Sequence, residues 1–183
     1  QGDIKRGIIR CVGEPERRFS EDALRMLRAV RFSAKLGFVI EPQTLGAIYR
    51  LSPLARELAP ERVAVELIKT LCAENAAGPL GLLLSSGLMD SYVLPGKAPE
   101  LSALESLPCE KGARLSGLCA LLQRERRIDT ELFLRRLRLD MLTVKCVSSG
   151  VSAALSGLPQ SAPEWKRLLH RIGGDACRCA VYA

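Results

Sequence analysis

Prolines and glycines cut this sequence into segments of helical length, and that punctuation constrains the fold more than any other feature. Pro42, Pro53, Pro60 and Pro95 stand at segment boundaries, where a residue that lacks a backbone N–H and clashes with the preceding turn does least harm. Gly37, Gly87, Gly150 and Gly157 read as helix stops, glycine being the residue that most readily ends a helix in the left-handed conformation. Between the breaks, apolar residues recur at a period near 3.6. From Pro60 to about Asn75, Val63, Leu67, Ile68, Leu71 and Cys72 form one stripe, the signature of a helix with a single buried face.

The spacing predicts helices over about 20–36, 42–51, 60–75, 79–84, 100–107, 112–124, 130–138, 140–155, 162–172 and 174–182, with residues 1–19 as a connector. Aromatic residues make up only 4% of the chain, which disfavours a β-sandwich or an RNA-stacking sheet. Leu and Ala dominate, as helix-on-helix packing requires. The expected fold class is all-α, an elongated array of many helices. No apolar run approaches the roughly 18 residues of a membrane span. Seven cysteines at irregular spacings argue against a disulfide framework and fit a reducing cytoplasm.

Charge is unevenly placed. Residues 1–110 carry 14 Lys/Arg and 14 Asp/Glu, whereas residues 111–183 carry 13 and 6. The whole excess of +7 therefore lies in the C-terminal part, which suits a polyanionic partner.

The segment with the most chemistry is Ser20–Leu36. Ser20 is expected as its N-cap, Glu21 and Asp22 as its acidic first turn, and Gly37 as its stop. On a helical wheel, Met26, Leu27 and Val30 face inward, while Glu21, Asp22, Arg25 and Arg28 share the other face near the N-terminus. A carboxylate only accepts hydrogen bonds and a guanidinium only donates. Adenine and cytosine each present an amine donor beside a ring-nitrogen acceptor; guanine and uracil present the reverse. Asp22 can accept from the amine while Arg25 donates to the ring nitrogen, and against G or U both contacts become mismatches with unpaired polar groups. Glu21 can hold the Arg25 guanidinium in plane. The spacing EDxxR by itself is common on solvated helices held by ordinary salt bridges.

The surroundings add to it. Gly2-Asp3-Ile4-Lys5-Arg6-Gly7-Ile8-Ile9-Arg10-Cys11-Val12-Gly13-Glu14-Pro15, followed by Arg18-Phe19-Ser20-Glu21-Asp22-Ala23-Leu24-Arg25 and by Arg28-Ala29-Val30-Arg31-Phe32-Ser33-Ala34-Lys35-Leu36-Gly37-Phe38, resembles the bacterial CCA-adding tRNA nucleotidyltransferase / poly(A) polymerase family. The resemblance continues in Pro60-Glu61-Arg62-Val63, Glu66-Leu67, Gly87-Leu88-Met89 and Leu94-Pro95, and it thins beyond residue 95. It implies that Glu21, Asp22 and Arg25 are the protein template that selects ATP and CTP, with tRNA and nucleotides as partners. It implies a neck over 1–75, a body over 76–128 and a basic tail over 129–183. It also implies that Glu61, Arg62 and Glu66 make structural salt bridges between neck and body.

The family's catalytic head carries a Gly-Ser followed by an acidic pair that holds two Mg²⁺ ions. No Gly-Ser dipeptide occurs here. The expectation is a fragment without catalytic residues of its own, inactive alone, with Mg²⁺ held by the missing head. Arg28 and Arg31 are candidates for nucleotide phosphate or RNA. So are three basic clusters: Arg124, Arg126 and Arg127; Arg135, Arg136 and Arg138; Lys166, Arg167 and Arg171. His170 with Cys177 and Cys179 lacks the paired spacing of a zinc site, so no metal is assigned. A poly(A)-adding relative and a non-catalytic helical RNA-binding or interaction module are the alternatives; oligomeric state is not legible.

Overall fold

A computed structural model describes residues 2–96 and 99–183. Among them the chain forms eleven α-helices, two 3-10 turns and two two-residue strands. In chain order these begin α1 (Gly2–Arg6), β1 (Ile8–Ile9), α2 (Pro15–Glu21), α3 (Leu24–Leu36), β2 (Val39–Ile40) and α4 (Pro42–Leu51). Then follow a 3-10 turn over Ser52–Glu57, α5 (Pro60–Leu71), α6 (Ala77–Ser85), a 3-10 turn over Ser102–Ser106, and α7 (Lys111–Arg124). The series closes with α8 (Thr130–Arg136), α9 (Met141–Leu155), α10 (Ala162–Ile172) and α11 (Gly174–Tyr182). The fold is an all-α helical array. Its accessible surface of 9851 Å² exceeds the about 8,700 Å² of a compact monomer of this mass, as an elongated arrangement requires.

The expected helix over 20–36 is two helices. Asp22 breaks it, with φ −153° and ψ 101°, and its Oδ1 accepts the Leu24 N–H at 3.1 Å. The break lets one short side chain cap the start of α3, the local competition by which Asp favours helix ends over interiors. Ser20 is accordingly not an N-cap. It lies inside α2 and donates to the Glu16 carbonyl at 2.8 Å. The expected connector over 1–19 is also structured: α2 begins at Pro15, where proline's fixed φ suits a first helical turn. β1 pairs in parallel with β2, Ile8 opposite Val39 and Ile9 opposite Ile40. This clamps the segment before α2 against the segment after α3. Gly37 ends α3 in the left-handed region, φ 65°, as expected.

α3 packs on α5 and α6 through Met26, Leu27, Val30 and Ala34 on one side and Val63, Leu67, Leu71, Leu80 and Leu83 on the other, all buried. One apolar cluster then runs from Phe19 to Cys179, so the segments 1–75, 76–128 and 129–183 share a core. A smaller cluster of Ala153, Leu168, Cys177 and Ala180 seats α10.

α5 ends at Leu71 rather than Asn75, and the predicted helix near 100–107 is a 3-10 turn. Gly150 is not a break. It lies inside α9, buried where α11 crosses: a Cβ there would stand 2.5 Å from Cys179 Cβ and 2.7 Å from the Ala176 carbonyl oxygen. The glycine is a contact point between helices, chosen for size.

Candidate functional site: the junction of α2 and α3

Glu21 is the last residue of α2 and Arg25 the second of α3, so the helix break brings together two side chains from different helices. Arg25 Nη1 donates to Glu21 Oε2 and to the Arg18 carbonyl oxygen, each at 3.1 Å. Glu21 is gripped from two further sides, by Arg18 Nη1 at 2.7 Å and Arg17 Nε at 3.3 Å. The hydrogen bond from Arg25, helped by the charges of Arg18 and Arg17, holds the Glu21 carboxyl below the usual range. The carbonyl that anchors Arg25 lies in the last turn of α2, the negative end of that helix. The guanidinium is therefore fixed at one nitrogen, leaving its other donors for a ligand.

Asp22 lies at the start of α3, its carbonyl accepting the Arg25 N–H at 3.1 Å. One carboxylate oxygen caps Leu24, and the other lies 3.5 Å from Arg62 Nη2 on α5. A carboxylate has about four lone-pair sites, so accepting a further donor remains open to Asp22. Arg28, one turn beyond Arg25, is exposed and has no hydrogen bond or ion pair among the described residues. Arg25 and Arg28 border a cavity of about 200 Å³ whose floor is Ile9, Cys11, Phe19 and Phe32.

Arg31 is different. Its Nε lies 2.8 Å from Glu66 Oε2, both side chains mostly buried, and its guanidinium stacks on Phe32 at 4.2 Å. The approach to Glu66 is an ion contact rather than a directed hydrogen bond. Arg31 fastens α3 to α5 instead of meeting a phosphate. Glu66, Arg62 and Glu61 do make salt bridges, but none of these pairs joins 1–75 to 76–128 as expected: Glu66 meets Arg31 and Arg62 faces Asp22, both within the segment 1–75. Glu61 reaches across the chain to Arg138 at 2.7 Å.

The basic clusters divide in the same way. Arg127 is 5% exposed and donates through Nε to the Leu94 carbonyl at 2.9 Å, so it secures the turn before α8 rather than facing solvent. Arg135 pairs with Glu131 at 2.8 Å and Arg138 with Glu61. Arg124, Arg126 and Arg136 are exposed without such partners among the described residues, and Arg126 and Arg136 border a groove of about 520 Å³ floored by Val93, Ile128, Leu132 and Phe133. Lys166, Arg167 and Arg171 are exposed on α10, around a seam of about 390 Å³ that Arg167 and Arg171 line.

Arg126 and Arg138 adopt φ 55° and 52°, arginines in left-handed positions beyond α7 and α8 where glycine is usual. Nothing in the sequence pattern announces that. The role of Arg18 as a second anchor for Arg25 was equally hidden, because it depends on the helix break. The one Asp-x-Glu of the sequence, Asp129-Thr130-Glu131, serves the start of α8: Asp129 Oδ1 accepts the Leu132 N–H at 2.8 Å, and Glu131 pairs with Arg135.

Residues 37–103 match a family model described as the probable RNA and SrmB-binding site of polymerase A. The CCA-adding enzyme of Leuconostoc mesenteroides is 50% identical over 94 residues, covering 51% of this chain and 23% of the relative. That of Lactiplantibacillus plantarum is 36% identical over 157 residues, covering 85% and 39%. The crystal structure of the Bacillus stearothermophilus CCA-adding enzyme in complex with CTP superposes on the whole chain with a TM-score of 0.76 and 32% identity, and the match covers 48% of that structure.

This chain belongs to the CCA-adding/poly(A) polymerase family. It spans less than half the length of these CCA-adding relatives. A solved tRNA-processing enzyme at 18% identity and a TM-score of 0.62 shares the helical fold. In this family member, the junction of α2 and α3 and the exposed arginines of the C-terminal half are the two regions with chemistry left over from folding.

Proposed function

We propose that this chain is the nucleotide-selecting and RNA-holding part of a tRNA nucleotidyltransferase that adds CCA, or C or A, to tRNA 3′ ends. Asp22 accepts from the exocyclic amine of ATP or CTP, Arg25 donates to the neighbouring ring nitrogen, and Glu21 with the Arg18 carbonyl keeps Arg25 in that pose. Arg28, exposed at the rim, takes the nucleotide's phosphates. Arg124, Arg126, Arg136, Lys166, Arg167 and Arg171 bind tRNA phosphates, which position an RNA without reading its sequence. The observation that carries the reading is the anchored Arg25: a guanidinium fixed before its ligand arrives loses little entropy on binding and rejects an edge that offers it another donor.

Among the described residues no group of three His, Cys, Asp or Glu side chains could hold a metal ion. In this reading the Mg²⁺ of phosphoryl transfer is held by carboxylates outside this chain, and the residues of this chain act by binding and orientation. We place the protein in the cytoplasm, where seven cysteines at irregular spacings stay reduced.

The second reading is a poly(A)-adding relative, favoured by the match of residues 37–103 to a polymerase A model. Both readings are tested by supplying the full-length protein with tRNA lacking its 3′ CCA and with labelled CTP or ATP. Incorporation of both C and A supports CCA addition. Long A tracts with no C support the second reading, and no incorporation of either removes both.

A further inference from the structure

Among the described residues Arg114 is the largest fully buried side chain, 1% exposed in the first turn of α7, and no carboxylate pairs with it. Its donors go instead to carbonyl oxygens: Leu107 at 3.0 Å, and Leu71, Ala73 and Glu105 at 3.4 Å each. The remaining contact is a sulfur, Cys109 Sγ, at 3.3 Å from Nη2. Leu71 and Ala73 flank Cys72, so one arm of the guanidinium grips the carbonyls of the residues on either side of one cysteine while the other arm meets a second. Cys72 closes the C-terminus of α5, its N–H bonded to the Ile68 carbonyl at 2.9 Å. Burial pushes its thiol up, and Arg114 and Cys109 are the neighbours that act on it next.

Of the seven cysteines, Cys109 is the exposed one; Cys119, Cys177 and Cys179 are buried, and Cys11, Cys72 and Cys146 are half-buried. An oxidant in solution meets Cys109 first, and Cys72 is the cysteine whose flanking carbonyls share the Arg114 guanidinium with it. We propose that Cys72 and Cys109 are a redox modification site, an oxidisable thiol pair held together at the Arg114 guanidinium.

The oxidant is hydrogen peroxide. Cys109 Sγ attacks one peroxide oxygen; an S–O bond forms, the O–O bond breaks, and the leaving hydroxide departs as water with the thiol proton. Cys72 Sγ then attacks Cys109 Sγ; the S–S bond forms, the S–O bond breaks, and a second water leaves with the Cys72 proton. Two thiols lose two electrons to the peroxide. The product ties the end of α5, the helix that carries Arg62 and Glu66 to α3, to the loop that leads into α7.

Peptide mapping tests this cleanly, because trypsin places Cys72 alone in the peptide 70–97 and Cys109 alone in 98–111. The full-length protein is treated with hydrogen peroxide, its free thiols are alkylated, and it is digested without reductant. The expected result is a 70–97/98–111 cross-link as the main oxidised species, reversed by dithiothreitol and lost in Cys109→Ser. In Cys72→Ser the link is absent and Cys109 is trapped as a dimedone adduct. The same treatment in urea controls for chance pairing. The proposal is overturned if another cysteine is oxidised first in the folded protein, or if the unfolded chain forms the 72–109 link as readily as the folded one.

Discussion

Arg25 reaches back across a helix break to Glu21, 3.1 Å from Nη1 to Oε2. An unbroken helix would offer this i,i+4 contact as one exposed pair among many, worth little. The break at Asp22 changes its setting, because the same nitrogen also meets the Arg18 carbonyl and Glu21 is itself held by Arg17 and Arg18. Arg25 is thereby fixed with respect to the end of α2 as well as to its own helix.

Glu21→Gln should therefore loosen Arg25 without removing it. We expect a fall in kcat/KM for CTP and ATP in the full-length protein that is smaller than the loss in Arg25→Ala, the latter about ten- to hundred-fold for one charged hydrogen bond. Steady-state incorporation into tRNA measures both. Equal losses would mean that Glu21 does more than hold Arg25.

The arginines sort into two classes with different readouts. Arg126→Ala and Arg136→Ala should leave the melting temperature nearly unchanged and each reduce the salt dependence of tRNA binding by a slope of about 1. Arg31→Met should instead leave the buried Glu66 without its partner, at a cost of about 3 kcal/mol, seen as a lower midpoint in urea. Arg127→Ala should also be destabilising, because the Leu94 carbonyl loses its donor.

Much of the fold is legible in the sequence. Proline at a first turn and an apolar stripe place α4, α7, α9, α10 and α11 within a residue or so, since both signals are local. The break at Asp22 was not legible: apolar spacing runs on through residues 19–34, and only the cap that Asp22 makes to Leu24 decides the matter. β1 and β2 are two residues each and owe their existence to a partner some thirty positions away. Whether an arginine meets solvent, a carbonyl or a buried carboxylate is also a tertiary fact, which is why Arg31 and Arg127 read as ligand contacts in the sequence.

Glycine positions give a paired stability test. Gly150→Ala drives a methyl into the backbone of α11 and should cost about 1–3 kcal/mol. Gly81→Ala, inside α6 with nothing within 4 Å of the new methyl, should stabilise by about 0.5–1 kcal/mol. Thermal melts of the two variants should move in opposite directions.

Asp140 supplies a pH-dependent cap. Thr143 donates to it from its N–H at 2.8 Å and from its hydroxyl at 2.7 Å, and Lys111 Nζ lies at 3.0 Å. The hydrogen bonds from Thr143, with Lys111 behind them, hold the carboxyl well below its ordinary 3.8. A depressed value stabilises the folded state above the unfolded-state pKa and is lost as pH falls through the folded one. Asp140→Ala should thus cost about 0.5–2 kcal/mol near neutrality, and the gap to the unmodified protein should shrink steadily below pH ~4.

If Asp22 and Arg25 read the shared edge of adenine and cytosine, both side chains set the ratio of CTP to UTP incorporation by the full-length protein. That ratio is measured for the unmodified protein, Asp22→Ala and Arg25→Ala. Either substitution should lower it by about ten-fold or more, with CTP use falling further than UTP use. A ratio unchanged in both variants would show that neither residue reads the base.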